Sequence, residues 1–171
     1  MSSVSPEPAL PSPLSAANMP APTIRRAIRD DVPAIIRLLI HGAVVGTGID
    51  TLDDNARALY LDAFEEIDAE PNEALFVAEV DGIVMGTLQI TFCRSLVNRA
   101  RLRATVESVH VAPEMRGKRI GAAMIAHAIE VARARGAGVV QLTSNKKRTD
   151  AHRFYERLGF KRSHEGFKLE F

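Results

Sequence analysis

The residues best placed to do chemistry stand between Val106 and Gly121. They read Val106-Glu107-Ser108-Val109-His110-Val111-Ala112-Pro113, then Glu114-Met115-Arg116-Gly117-Lys118-Arg119-Ile120-Gly121. β-Branched residues up to Pro113 spell a strand, and the apolar spacing after Lys118 spells an amphipathic helix. A helix start carries unpaired N–H groups and about half a positive charge, so it favours an anion. Gly117 and Gly121 admit close backbone approach, while Arg116, Lys118 and Arg119 add positive charge. The segment can therefore hold phosphate, and a pyrophosphate suits it. Two nucleotide motifs do not fit. The Walker pattern needs Lys and Ser/Thr after its second glycine, where this chain has Ala122, and the G-x-G-x-x-G dinucleotide fingerprint is absent. The plainer alternative is a basic loop that begins a solvated helix.

Other reactive side chains are scattered. Glu107 lies mid-strand, where a carboxylate needs a partner such as Arg103 or open solvent. Tyr155 follows Ala151 and Phe154 at helical spacing, which by itself reads as an aromatic core position. Asn145 closes a strand and can cap the turn there. Strict alternation puts His110 on the face opposite Glu107, which favours a structural role. His41, His127, His152 and His164 show no metal-ligand spacing, so no metal is expected. Cys93 is the single cysteine, which excludes an internal disulfide and a thiolate zinc cage.

The elements that must position these groups follow from periodicity. Strands are expected over 23–28, 74–80, 83–92, 104–111 and 139–143, with 160–162 and 167–171 closing the sheet. Helices are expected from Asp30-Asp31 through Ile40, over 53–67, over 118–135 and over 150–158, the last capped by Thr149 or Asp150 and stopped by Gly159. Asp81-Gly82 marks a hairpin, and Gly46-Thr47-Gly48 a mobile lip between the first two helices. Such an order indicates an α/β or α+β domain with a mixed sheet.

Composition sets the outer limits. The chain has 171 residues, 46% of them apolar and 25% charged, with a net charge of +1. One domain fits that length, and no global field announces a nucleic acid or a membrane as partner. Residues 1–22 hold six of the nine prolines, with serine and alanine between them and Glu7 as the only charge. They are expected to be a disordered extension ahead of a domain over 23–171. No secretory or mitochondrial leader pattern is present, and a cytoplasmic location is expected.

Arg116-Gly117-Lys118-Arg119-Ile120-Gly121 behind a proline turn resembles motif A of the GNAT superfamily of acetyl-CoA-dependent N-acetyltransferases. Asp150-Ala151-His152-Arg153-Phe154-Tyr155-Glu156-Arg157-Leu158-Gly159-Phe160 resembles its motif B. The resemblance implies a mixed, mostly antiparallel sheet of six to seven strands with about four flanking helices, splayed between the fourth and fifth strands. It implies acetyl-CoA as co-substrate, with the coenzyme against Val109, His110, Val111, Arg116, Gly117, Lys118, Arg119, Gly121, Ala122 and Asn145. An amine attacks directly, without an acyl-enzyme, with Glu107 as base and Tyr155 as acid. Arg119 stands where the motif prefers glycine, and is tolerated there if its backbone is helical. Residues 142–171 resemble, more narrowly, aminoalkylphosphonate N-acetyltransferases. The acceptor implied is a small-molecule primary amine, anionic ones included because Arg99, Arg101 and Arg103 could attract them or equally form a solvated loop. A protein or peptide amine, a non-catalytic acyl-CoA-binding regulatory module and a homodimer stay among the alternatives.

Overall fold

The computed structural model describes residues 20–42 and 50–171. The expected lip at Gly46–Gly48, and the expected extension up to residue 19, lie outside the described residues. The chain runs β1 (Thr23–Arg26), α1 (Val32–Gly42), α2 (Asp54–Ala69), β2 (Glu73–Val80), β3 (Ile83–Arg94), α3 (Val97–Ala100), β4 (Leu102–Val111), α4 (Ile120–Ala134), β5 (Val139–Leu142) and α5 (Thr149–Arg157). Asp81 and Gly82 both adopt positive φ, 50° and 76°, in the turn that aligns Val80 with Ile83. That is the backbone a two-residue hairpin requires.

The five strands form one sheet in chain order, antiparallel from β1 to β4. β5 lies parallel to β4, as a connection through the helix α4 demands. Both faces are covered, and β2 shows how. Ala74, Phe76, Ala78 and Val80 join the core with Met124, Ile125, Ala128 and Ala132 of α4, while Val77 packs with Ile35, Ile36 and Phe64 of α1 and α2. Period-two alternation thus divides one strand between two helical layers.

Six to seven strands were expected, and five are found among the described residues. Residues 158–171 form no ladder, and Phe167, Leu169 and Phe171 are exposed. Alternation makes a segment competent to be a strand, but the hydrogen bonds must come from a neighbour. Here the open edge is the four-residue β5. Two helix boundaries also differ. Neither Thr149 nor Asp150 caps α5, whose N-cap is Arg148 without a side-chain bond. The helix expected from Lys118 begins at Ile120, because Gly117 and Arg119 are left-handed, with φ of 76° and 64°. Arg119 is therefore not helical as expected. It holds a conformation that costs a non-glycine residue roughly 1–2 kcal/mol.

Candidate active site

β4 is the element on which the site is built, and it is not a regular strand. Gln89 of β3 faces Glu107, but Thr87 faces His110, so one extra residue of β4 is inserted between these pairs. Ser108 takes it up with φ of 51°. Such a bulge shifts the alternation by one residue. Thr87 and Gln89 share a face of β3, so their partners His110 and Glu107 share a face of β4. The expectation from strict alternation, which separated them, is corrected by this bulge. The shared face is the one covered by α1: the His110 ring lies against Gly42, where a side chain at residue 42 would collide with Nδ1. Val109 and Val111 pack with the core on the α4 side.

β4 then parts from β5. Pairing runs from Arg103↔Val139 to Val106↔Leu142 and stops, while β4 continues to Val111. The Ala112 N–H donates to the Met85 carbonyl at 2.8 Å, toward β3. By alternation, Val111 and Val109 present their N–H and C=O groups to the gap. His110 does not: its carbonyl lies on the Gly86 side, so it offers the site its ring and not its backbone.

The open edge leads to the mouth of α4. The first N–H to return into the helix is that of Ala123, which donates to the Arg119 carbonyl at 3.0 Å. Among the described residues the N–H groups of Gly117, Arg119, Ile120, Gly121 and Ala122 have no protein acceptor, whereas that of Lys118 reaches the Met115 carbonyl at 3.4 Å. No carboxylate pairs with Arg116, Lys118 or Arg119 among the described residues. Five open donors and three cations without a carboxylate partner make a cradle that fits a pyrophosphate.

Helix α5 closes the other side. Phe154 Cζ stands 3.4 Å from where a Cβ on Gly121 would be, so the glycine lets α5 press onto the first turn of α4. Tyr155 follows, partly buried, with its ring edge-on to Phe154 at 5.0 Å and to Phe160 at 5.9 Å. Burial pushes its phenol pKa up, and the Arg148 charge pulls it back without reversing the shift. The hydroxyl therefore stays protonated at neutral pH. The Asn145 Oδ1 accepts the Lys147 N–H at 2.9 Å, so that oxygen is engaged in the turn, as a strand-end cap would be. Ser144 escaped sequence reading. Its Oγ is buried without a partner just past the end of β5, and no motif singles out a serine there.

His110 has its pKa lowered, first by burial and then by the Arg148 charge. Asp50 opposes the shift and Arg116 adds to it. Burial also lowers His127, whose ring stands edge-on to Phe76 at 4.8 Å. Among the described residues, no three His, Cys, Asp or Glu side chains cluster as a metal site, and no helix is long and apolar enough to cross a membrane. Cys93 is exposed at the end of β3.

Not every expected residue reaches the site. Arg101 packs on Gly138 beside the start of β5, and Arg94 Nη1 donates to the Ala100 carbonyl at 2.7 Å. Six residues of extended chain, about 20 Å, separate Arg101 from Glu107. The cations that bear on the open end of β4 are Arg116 and Arg148.

A splayed strand edge that runs into an unpaired helix mouth has the shape that an extended, phosphate-bearing ligand requires. The comparisons say which. A model of the Acetyltransferase (GNAT) family matches residues 43–160, and the chain belongs to that family. It is 33% identical over 149 residues to an aminoalkylphosphonate N-acetyltransferase of Salmonella typhimurium, covering 87% of this chain and 91% of that protein. A crystal structure described as a transcriptional regulator from Bacillus halodurans has a TM-score of 0.83 at 39% identity, over 88% of this chain and 99% of that one. A Clostridium acetobutylicum protein solved with acetyl-CoA shares the fold at 18% identity and a TM-score of 0.68, over 87% and 96% of the two chains. The chain is thus an acetyl-CoA-dependent N-acetyltransferase by family.

Proposed function

We propose that this enzyme acetylates the primary amine of a small molecule by direct attack, with Glu107 and Tyr155 moving the protons. The observation that carries the reading is the β4 edge left open after Val106, continuous with the unpaired N–H groups before Ala123. Val109 and Val111 would pair with the pantetheine arm as a strand pairs, with Ser144 Oγ as a further donor. Gly117, Arg119, Gly121 and Ala122 would hold the pyrophosphate, with Arg116 and Lys118 as counter-charges. The Asn145 amide nitrogen is the donor its turn leaves over for the arm. When bound, the coenzyme supplies the acetyl group as a thioester.

The chain supplies proton transfer. Glu107 is exposed on the α1 face and can take a proton from an arriving ammonium group, directly or through water. Tyr155, kept protonated by burial, can give one to the departing thiolate. No acyl-enzyme is required, and Cys93 lies at the far end of β3.

A small acceptor is favoured by a cavity of about 110 Å³ between α1, α2 and the sheet, lined by Leu39, Tyr60, Leu75, Gln89 and Ser108. A peptide would need an open groove. Anionic amines are favoured by Arg148, and the aminoalkylphosphonate relative is a protein with that kind of substrate in its name.

Thiol release from acetyl-CoA decides the matter when followed across 2-aminoethylphosphonate, glucosamine, a polyamine and a peptide with a free N-terminus. Release with a small amine is expected. Binding of the coenzyme with no release on any amine would hand the chain to the regulatory reading. Glu107→Gln should lower kcat by about 100-fold, and a parental rate would remove Glu107 from proton transfer.

A further inference from the structure

The bulge at Ser108 places a second titratable group on the acceptor face. His110 faces Thr87, Glu107 faces Gln89, and both look toward α1. The Nδ1 side of the His110 ring is pressed on Gly42, which leaves Nε2 as the nitrogen turned away from that helix. We infer that His110 works in series with Glu107, receiving through a solvent molecule the proton that Glu107 takes from the acceptor amine. The inference rests on the acetyl-transfer reading above.

The proton balance is complete. The ammonium N–H bond breaks and its electron pair stays on nitrogen, which becomes the nucleophile. The proton passes to the Glu107 carboxylate, then by way of water to the imidazole, which later releases it to solvent. The second transfer regenerates the Glu107 carboxylate, and an imidazole whose surroundings disfavour its cation gives the proton up to solvent readily. The ring must be neutral beforehand, and its surroundings keep it so. Gly42 and Thr87 crowd it with uncharged groups from α1 and β3. Arg148, ahead of α5, and Arg116, after β4, oppose a positive charge there. Asp50, ahead of α2, acts the other way, and its Oδ1 already accepts the Tyr60 hydroxyl at 2.6 Å. A group that stays neutral near pH 7 and shares the strand face of the first acceptor is suited to clear the proton through solvent.

The test compares the full chain with His110→Gln and His110→Ala. Coenzyme thiol release is followed at saturating acetyl-CoA, with 2-aminoethylphosphonate and with glucosamine, from about pH 5.5 to about pH 9. His110→Gln should lower kcat/KM for the amine by about 100-fold, with the KM for acetyl-CoA within about twofold of the parent. Its acid limb should lose the imidazole step, and free imidazole should restore part of the His110→Ala rate. A parental rate and pH profile in His110→Gln overturns the inference while leaving acetyl transfer in place. So does a slow variant that keeps the parental pH limb and is not rescued by imidazole, because a packing role predicts that pattern. If the parent releases no thiol with either amine although acetyl-CoA binds, the acetyl-transfer reading falls, and the inference with it.

Discussion

Two charged regions of this molecule have opposite designs. At the β1 end, Arg25 Nη1 and Nη2 donate to the two Asp31 oxygens at 2.6 and 2.9 Å, and Nε donates to Glu79 Oε2 at 3.0 Å. The Ile28 N–H adds a bond of 2.8 Å to the buried Asp31. Every strong donor there meets an acceptor of the same chain. At the mouth of α4, Arg116, Lys118 and Arg119 meet no carboxylate among the described residues, and five N–H groups have no protein acceptor. The contrast teaches which charges stabilise the fold and which have no partner within it. A buried charge without partners is costly, so the clasp is closed within the chain. The loop can stay open because it lies at the surface, where unpaired donors are not cut off from solvent.

The largest effect should come from opening the clasp. Asp31→Asn leaves Arg25 facing an uncharged amide and should cost about 3 kcal/mol in a denaturant titration, with acetyl-CoA affinity unchanged. A loss below about 1 kcal/mol would mean the clasp is no more than a surface pair. Its pH dependence follows from Asp31. Burial pushes that carboxyl up, but the Arg25 bonds, the Ile28 N–H and the Arg25 charge outweigh it and leave the pKa lowered. A depressed carboxyl stabilises the fold above the unfolded value of about 4 and loses that contribution as pH falls through the folded value. The parent should therefore lose stability below about pH 4, and Asp31→Asn should show a shallower acid loss.

Next comes the loop. Lys118→Ala should weaken acetyl-CoA by about tenfold and steepen with falling salt, while thermal stability stays level. A stability loss equal to that of Asp31→Asn would erase the contrast. The smallest effect belongs to Arg119→Gly. Removing the left-handed strain should raise stability by up to about 1 kcal/mol, part of it offset by the freer unfolded glycine. A fall in both stability and coenzyme affinity would show that the arginine side chain matters more than its backbone.

The parts legible in the sequence were those with local causes. Asp81-Gly82 marked its hairpin because two successive positive φ angles suit those residues. Gly159, with φ of 90°, ended α5 for the same reason. The strand, proline turn and helix start were legible in order, and the open N–H groups belong to that helix start. Illegible features depend on partners far along the chain. Ser108 carries no mark of a bulge, because the extra residue is defined only by the register against Thr87 and Gln89. Ser144 is one serine among many until β5 has left β4. Arg99 and Arg101 looked near Glu107 in sequence, yet they precede β4, and the extended strand between carries them away from its open end.

The sequence by itself determined the order of the elements from β1 to α5, the short α3 apart, and the family, since these rest on neighbours within a few residues. Tertiary structure alone decided that Glu107 and His110 share a face. It also decided that β4 opens after Val106 and that Phe154 seats α5 against Gly121. Register and splay arise from pairing between strands, and one residue of shift reverses every side chain beyond it.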